Sequence, residues 1–502
     1  MKNILEFLET DVKRFESKKA FIDENSSLTY GELCSAARSI GTYLAKENIG
    51  KKPVAIYLDK SVKTVASMLG IVYAGCFYAV VDSEMPIERI SKIFSSLNPS
   101  AVITDSKYLD SAKQLGIPDV FLYDEAVECE ADDEILCAVR DEQIDTDPLY
   151  ALYTSGSTGM PKGALLSHRN VIAYSEWAVK TFNINEDTVF GNQTPFYFSM
   201  SVTDVYSTLR AGATLVIIPK PFFTFPIKLI GFLNEYKVNT IYWVPSAMAI
   251  VSSFKLFEIA KPEYLKTVLF AGEVMPVKHL NYWRDNLGED ILFANLYGPT
   301  ETTDICTYYI VDRRFTDGES LPIGRHCDNC NVFIVNEKGE EAAVGEEGEL
   351  YARGSFLAFG YYNNPEKTAE AFVQNPLNTA YPERVYKTGD LVRLEENGEI
   401  SYICRKDYQI KHMGYRIELG EIEAAVSSVE GVNECACVFD DENDKIVLFY
   451  TANRCKEDKL MAALATKLTS YLMPNKVFKL SVMPHNQNGK IDRKLLKDKS
   501  KE

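Results

Sequence analysis

Between Leu28 and Ile217 the chain alternates helix-like stretches with short apolar runs, among them Val54 to Leu58, Tyr78 to Val81 and Thr214 to Ile218. Each run has strand length and is rich in β-branched residues, with apolar side chains at successive positions, so both faces of such a strand need cover. The intervening segments are long enough to be the covering helices. This pattern predicts an α/β fold, with a large N-terminal domain of mostly parallel sheets covered by helices. After Gly398 the texture changes: from Ile400 onward short strands and helices alternate around a dense charged loop, over about the length of one small domain. At 502 residues the chain exceeds one compact unit. We expect a boundary near Arg405 to Asp407, separating a core of residues 1–404 from a small α+β domain of residues 405–502.

Charge narrows the function classes. Lys and Arg total 54 against 71 Asp and Glu, a formal charge of −17 that repels polyanions, so nucleic-acid binding is not expected. The N-terminal MKNILEFLETDVKRF is broken by Glu6 and Glu9, and no later stretch approaches the roughly 20 apolar residues of a spanning helix. Membrane insertion is therefore not expected, and the cytoplasm is the expected compartment. Asp124 to Asp147 carries eleven acidic residues and few aromatics, and reads as a solvated surface connection. The eleven cysteines lack framework spacing, which points to reduced thiols. Cys327 and Cys330 form a CxxC that Cys435 and Cys437 could complete as a zinc site, but the CxxC reads as a turn entering a strand.

The segment Leu152 to Gly163, LYTSGSTGMPKG, is the main chemical signal. Eight of its twelve residues are Thr, Ser, Gly or Lys, a composition that offers backbone N–H groups and hydroxyls to an anion without bulky side chains in the way. It is not the GxxxxGK[ST] nucleotide loop, because Lys162 follows Pro161. It resembles the signature loop of the adenylate-forming superfamily, which comprises acyl-CoA synthetases, luciferases and peptide-synthetase adenylation domains. Further matches fall in that superfamily's order: LTYGEL from Leu28, NLYGPTETT from Asn295, GELYARG from Gly348, YKTGDL from Tyr386, RKDYQIKHMGYRIELGEIE from Arg405 and NGKIDRK from Asn488. The local flavour of SVTDVYSTLRAGATL and LFAGEVMPV is similar to stand-alone adenylation enzymes that charge carrier proteins, D-alanine-carrier ligases included.

The resemblance implies an ATP-dependent ligase. It would activate a small carboxylic acid as an acyl-adenylate and pass it to a phosphopantetheine thiol, with Mg²⁺ as the metal. Attack of a carboxylate on a polyanionic nucleotide needs fixed positive charge, and the family's bridging lysine corresponds to Lys490. The resemblance also places Thr154, Ser155, Gly156, Ser157, Thr158, Gly159 and Lys162 around the phosphates, Thr300 at the α-phosphate and Glu301 at Mg²⁺. Asn295 and Gly272 would meet adenine, Tyr297 would offer a stacking face, and Asp390 and Arg405 would hold the ribose. Cys404 stands where the family usually has Gly. By the same resemblance Asp407 is the hinge about which a mobile C-terminal domain rotates, and Lys411 and Gly414 belong to the thiol-transfer loop.

The acid pocket carried over from relatives is Phe198, Ser199, Met200, Thr203, Ala247, Leu269, Ala271, Leu296, Asp304 and Ile305. Amino-acid-activating relatives hold the α-ammonium with an Asp where this chain has Ser199, and a hydroxyl cannot balance a buried ammonium. An aryl acid, hydroxy acid or non-α amino acid is therefore expected. Asp304 could receive an amino or hydroxyl group of the substrate, or cap a turn. Asp204 is the weaker candidate, because its helix is expected to turn it away. No carrier segment follows NGKIDRK, so the expected acceptor is a separate carrier protein, with coenzyme A as the alternative. Intact Lys490, Glu301 and Asp390 count against a silent nucleotide sensor.

Overall fold

The computed structural model describes residues 1–47, 49–155, 160–316, 319–406, 409–452, 455–485 and 491–501. The chain divides into two compact units, one of Met1–Ser83, Asn98–Leu152 and Gly163–Lys406, the other of Glu84–Leu97, Tyr153–Lys162 and Asp407–Glu502.

In the first unit the apolar runs become parallel strands. Pro53–Tyr57 lies between Phe77–Val80 and Ala101–Thr104, and Asp119–Leu122 continues the sheet beyond the latter. A second sheet is parallel through Lys19–Ile22, Thr214–Ile217, Val189–Asn192, Thr240–Trp243, Thr267–Ala271 and Leu292–Tyr297, with antiparallel strands at both margins. Helices complete the layers. Tyr30–Lys46 starts at a capping box in which Thr29 and Glu32 satisfy each other's backbone N–H groups. Val62–Tyr73 is apolar on nearly every side and correspondingly buried. A third sheet is entirely antiparallel, built on Glu347–Gly354 and Arg384–Leu394 with Cys330–Val335, Phe372–Gln374 and Ile400–Arg405. The acidic connection is more structured than expected: Asp132 caps a helix over Asp133–Asp141, and that helix buries Leu136.

The second unit is α+β. The strands Gln409–His412 and Tyr415–Glu418 form a hairpin whose two-residue turn, Met413–Gly414, has positive φ at both positions, as the twist of a tight hairpin requires. Val432–Asp440 and Lys445–Ala452 pair antiparallel, and Lys476–Lys479 adds a parallel edge. Leu419–Ser427, Glu457–Ala465 and Arg493–Ser500 are the helices of this part. The helix Ile87–Leu97 contributes Arg89, whose guanidinium forms a buried ion pair with Glu421. Among the described residues no helix is long and apolar enough to cross a membrane.

Candidate active site

The strand Leu292–Tyr297 and the turn that follows it carry most of the first unit's candidate side chains. Alternation along the strand sends its residues to opposite faces. Leu296 is the parallel register partner of Ala271, and Leu269 is the partner of Tyr242, so these four residues share one face. Met200 and Thr203 from the helix Met200–Ala211 and Ala247 from Pro245–Ser253 are buried as these four are. Asn295 and Tyr297 belong to the other face. Asn295 is buried, and its Nδ2 donates to the Pro322 carbonyl at 2.8 Å. The Tyr297 hydroxyl donates to Asp390 Oδ2.

Asp390 lies opposite Arg405 across an antiparallel strand pair, and the guanidinium reaches its carboxylate at 2.9 Å. Both side chains are largely buried, so the pair is fixed before any ligand arrives. Gly272, just past the strand Thr267–Ala271, has φ +93°, a backbone state that a side chain would disfavour.

Beyond Tyr297 the chain makes a short 3₁₀ turn, Thr300–Thr302. Glu301 is fully buried and accepts from the Tyr361 hydroxyl at 2.5 Å, while its own carbonyl accepts from Ala358 N. Thr300 Oγ1 donates to Ser199 Oγ at 3.5 Å. Thr303 then has φ +71° and ψ −60°, and Asp304 N donates to Thr302 O at 2.9 Å. These values describe a classic γ-turn, a strained conformation for a β-branched residue. The Thr303 hydroxyl, donating to Phe356 O at 2.8 Å, helps to hold it.

The strained turn delivers Asp304 into a cage of hydroxyls. Its Oδ2 accepts from Thr203 at 2.8 Å and from Tyr174 and Tyr242 at 3.0 Å each. Turn capping is therefore not what this side chain does. Burial pushes its pKa up to about 6, against the lowering effect of the neighbouring hydroxyls. Asp204 is also buried but points elsewhere: Asn192 Nδ2 donates to it at 2.6 Å and Lys60 is its basic neighbour. Burial raises the Asp204 carboxyl and lowers Lys60.

A carboxyl whose folded pKa is raised binds its proton more tightly in the native state, so its ionisation opposes folding as pH rises from about 4 to about 6. Asp304→Asn removes that penalty. The variant's melting temperature relative to wild type is expected to be higher at pH 8 than at pH 5; His168 titrates alike in both proteins, and Asp204, whose carboxyl the Asp304 charge also pushes up, shifts the difference in the same direction. An equal difference at both pH values would exclude a raised Asp304 pKa.

In the second unit Ser155 Oγ donates to Arg416 O at 2.6 Å and accepts from Glu418 N at 3.2 Å. Lys162 lies 3.8 Å from Glu418, and its carbonyl accepts from Thr154 Oγ1 at 3.5 Å. Lys411 stands opposite Arg416 in the hairpin that Gly414 turns. Gly156, Ser157, Thr158, Gly159, Asp407 and Lys490 lie outside the described residues. Sequence reasoning missed Tyr174, Tyr242 and Tyr361, because each looks like an ordinary core aromatic and no motif marks it.

The AMP-binding enzyme profile matches residues 8–362. The chain belongs to the AMP-binding enzyme family. The profile of the family's C-terminal domain matches residues 421–490. Zwittermicin A synthase ZmaJ of Bacillus cereus is 32% identical over 98% of this chain and 94% of its own length. The L-proline--[L-prolyl-carrier protein] ligase of Pseudomonas fluorescens is 31% identical over 98% of this chain and 98% of its own. The chain spans only 6% to 45% of the larger synthases that it also matches. The Vibrio cholerae adenylation domain AlmE, solved in complex with glycyl-adenosine-5'-phosphate, shares the fold at TM-score 0.85 and 21% identity, covering 100% of this chain and 98% of that one. As a member of this family the chain is an adenylate-forming ligase.

Proposed function

We propose that this ligase activates a carboxylic acid with ATP, releasing pyrophosphate, and then transfers the acyl group to the phosphopantetheine thiol of a separate carrier protein in the cytoplasm. The observation that carries this reading is the single segment Asn295–Asp304. One strand face ends in the Tyr297–Asp390–Arg405 cluster, the other presents buried Leu296 beside Ala271, and the turn that follows carries Thr300 and Glu301.

The residues suit the groups assigned to them. Arg405 and Tyr297 orient the Asp390 carboxylate, which accepts hydrogen bonds from the ribose hydroxyls. Glu301 is one hard-oxygen ligand, which suits Mg²⁺ drawing its remaining ligands from phosphate and water. ATP supplies the activated phosphorus, and the metal, when bound, offsets phosphate charge. Thr300 positions the α-phosphate, the loop residues Thr154 to Gly159 and Lys162 hold the rest of the triphosphate, and Lys490 brings its ammonium between the two reacting anions. Residues 1–404 form the binding core. Residues 405–502 rotate about Asp407 between the half-reactions, so that Lys411 and Gly414 line the thiol path in the second pose.

The relative named as a prolyl-carrier protein ligase supports a carrier as acceptor. The reading is tested by pyrophosphate exchange against a panel of carboxylic acids, followed by offering a phosphopantetheinylated carrier and coenzyme A side by side. Exchange with no acid would sink the adenylation reading, and acylation of coenzyme A alone would replace the carrier by coenzyme A.

A further inference from the structure

Three of the sequence motifs meet at one buried side chain. Glu349, from GELYARG, is 3% exposed. Its Oε1 accepts from Gly389 N of YKTGDL at 3.1 Å, and its Oε2 accepts from the ammonium of Lys406, in the motif that begins at Arg405, at 2.9 Å. Lys387 Nζ stands 3.9 Å from the same Oε2. No step of the proposed reaction uses GELYARG.

The contact falls where the antiparallel ladder is irregular. Glu349 pairs with Leu391 and Tyr351 with Lys387, so the single residue Leu350 stands against Thr388, Gly389 and Asp390. A bulge of this kind takes backbone groups out of the ladder and re-aims the side chains that it carries. Side chains take up the released groups: Thr388 Oγ1 donates to Leu350 O at 2.8 Å and accepts from Asp390 N at 3.0 Å, while Glu349 takes Gly389 N. The bulge presents Asp390, whose carboxylate meets the Tyr297 hydroxyl and the Arg405 guanidinium.

The strand end that carries Arg405 is tied to the same place. Lys406 N donates to Gly389 O at 2.9 Å, and the Lys406 side chain reaches back to Glu349. Lys406 is also the last residue of the first unit. A buried carboxylate is a costly means of satisfying one N–H group. Here its second oxygen joins the bulge to the neighbouring strand, so both members of the Asp390–Arg405 pair are held by one side chain.

We propose that Glu349 is a positioning residue, which sets the Asp390 carboxylate for the nucleotide by clamping the bulge to Lys406. This rests on the reading above in which Asp390 and Arg405 hold the ribose, and it adds a residue that acts through them.

Glu349→Gln keeps the side-chain volume. Its carboxamide can still accept from Gly389 N, but then turns an N–H group toward the Lys406 ammonium, so the clamp opens on that side. The dissociation constant of ATP, measured by calorimetry with Mg²⁺ and no acid, is expected to rise about 10-fold, the worth of roughly one charge-assisted hydrogen bond. Asp390→Asn should weaken ATP at least as much. Adding Glu349→Gln to Asp390→Asn should then change the affinity by less than about twofold, because the clamp acts through the residue already altered. Equal fold losses in the two backgrounds would mark a general structural role and overturn the proposal, as would a Glu349→Gln protein that binds ATP like wild type. If Asp390→Asn leaves ATP binding unchanged, the ribose reading fails and the proposal with it.

Should Glu349→Gln lack a cooperative melting transition, Lys406→Met tests the clamp from its other end, removing the counter-ion while leaving the bulge residues in place. It should raise the ATP dissociation constant about threefold in the wild-type background and not in the Asp390→Asn background. Unchanged affinity in the wild-type background would overturn the clamp.

Discussion

Replacing Lys490 by alanine is expected to reduce pyrophosphate exchange at least about 10²-fold, roughly 3 kcal/mol of transition-state stabilisation, while transfer from a preformed adenylate to the acceptor thiol is largely retained. The first half-reaction brings a carboxylate against a triphosphate, and both partners are anionic. A cation between them is worth most when charge is crowding onto the α-phosphate. The second half-reaction replaces the phosphate by a thiol, so the same cation has much less charge to offset. Single-turnover measurement of the two steps decides the matter, since comparable loss in both would remove the assignment of Lys490 to one pose of a rotating C-terminal domain. Loss confined to thiol transfer would exclude Lys490 as the group between the reacting anions.

The parallel strands were legible because each apolar run is bounded by a helix-length spacer. Val54 to Leu58 and Tyr78 to Val81 are one residue out of step with the observed Pro53–Tyr57 and Phe77–Val80. The antiparallel sheet around Glu347–Gly354 and Arg384–Leu394 was not legible. Its strand order depends on cross-chain pairing, such as Asp390 opposite Arg405, rather than on local periodicity. Motif resemblance named Tyr297, Asp390, Arg405, Thr300 and Glu301 one by one, Tyr297 as a stacking face, and did not foresee that its hydroxyl donates to Asp390. It could not reveal the surroundings of Asp304, because Tyr174 and Tyr242 come from a helix and a strand 130 and 62 residues away in the chain. Nothing near either tyrosine distinguishes it from core filling. The choice between turn capping and ligand binding was open in the sequence for that reason, and only the tertiary arrangement of three hydroxyls resolves what Asp304 touches.

Gly298→Ala is expected to lower kcat/KM for adenylation by about 10³-fold or more, a larger effect than the added methyl group suggests. A Cβ at Gly298 would stand 2.2 Å from Asp304 O, 2.5 Å from Ile305 Cα and 2.8 Å from Cys306 N. All three are backbone atoms, so no side chain can swing away to make room. The segment is also held at both ends, since Cys306 N donates to Tyr297 O at 2.9 Å and Tyr297 pairs with Thr307 in the adjoining strand. Relief must come from the turn between them, which carries Thr300, Glu301 and Asp304 and already contains the strained residue Thr303. A shift of even 1 Å there misplaces together Thr300, Glu301 and Asp304, the residues proposed to meet the α-phosphate, the metal and the acid. Overpacking of this kind costs about 1 to 3 kcal/mol in stability, little enough for a large domain to remain folded. Circular dichroism and the melting transition should therefore show a folded protein, with the kinetic loss far exceeding any fall in the folded fraction. Near-normal exchange activity in a folded Gly298→Ala protein would mean that the turn can move without disturbing the three side chains, and the tight backbone crossing would then not be what positions the site.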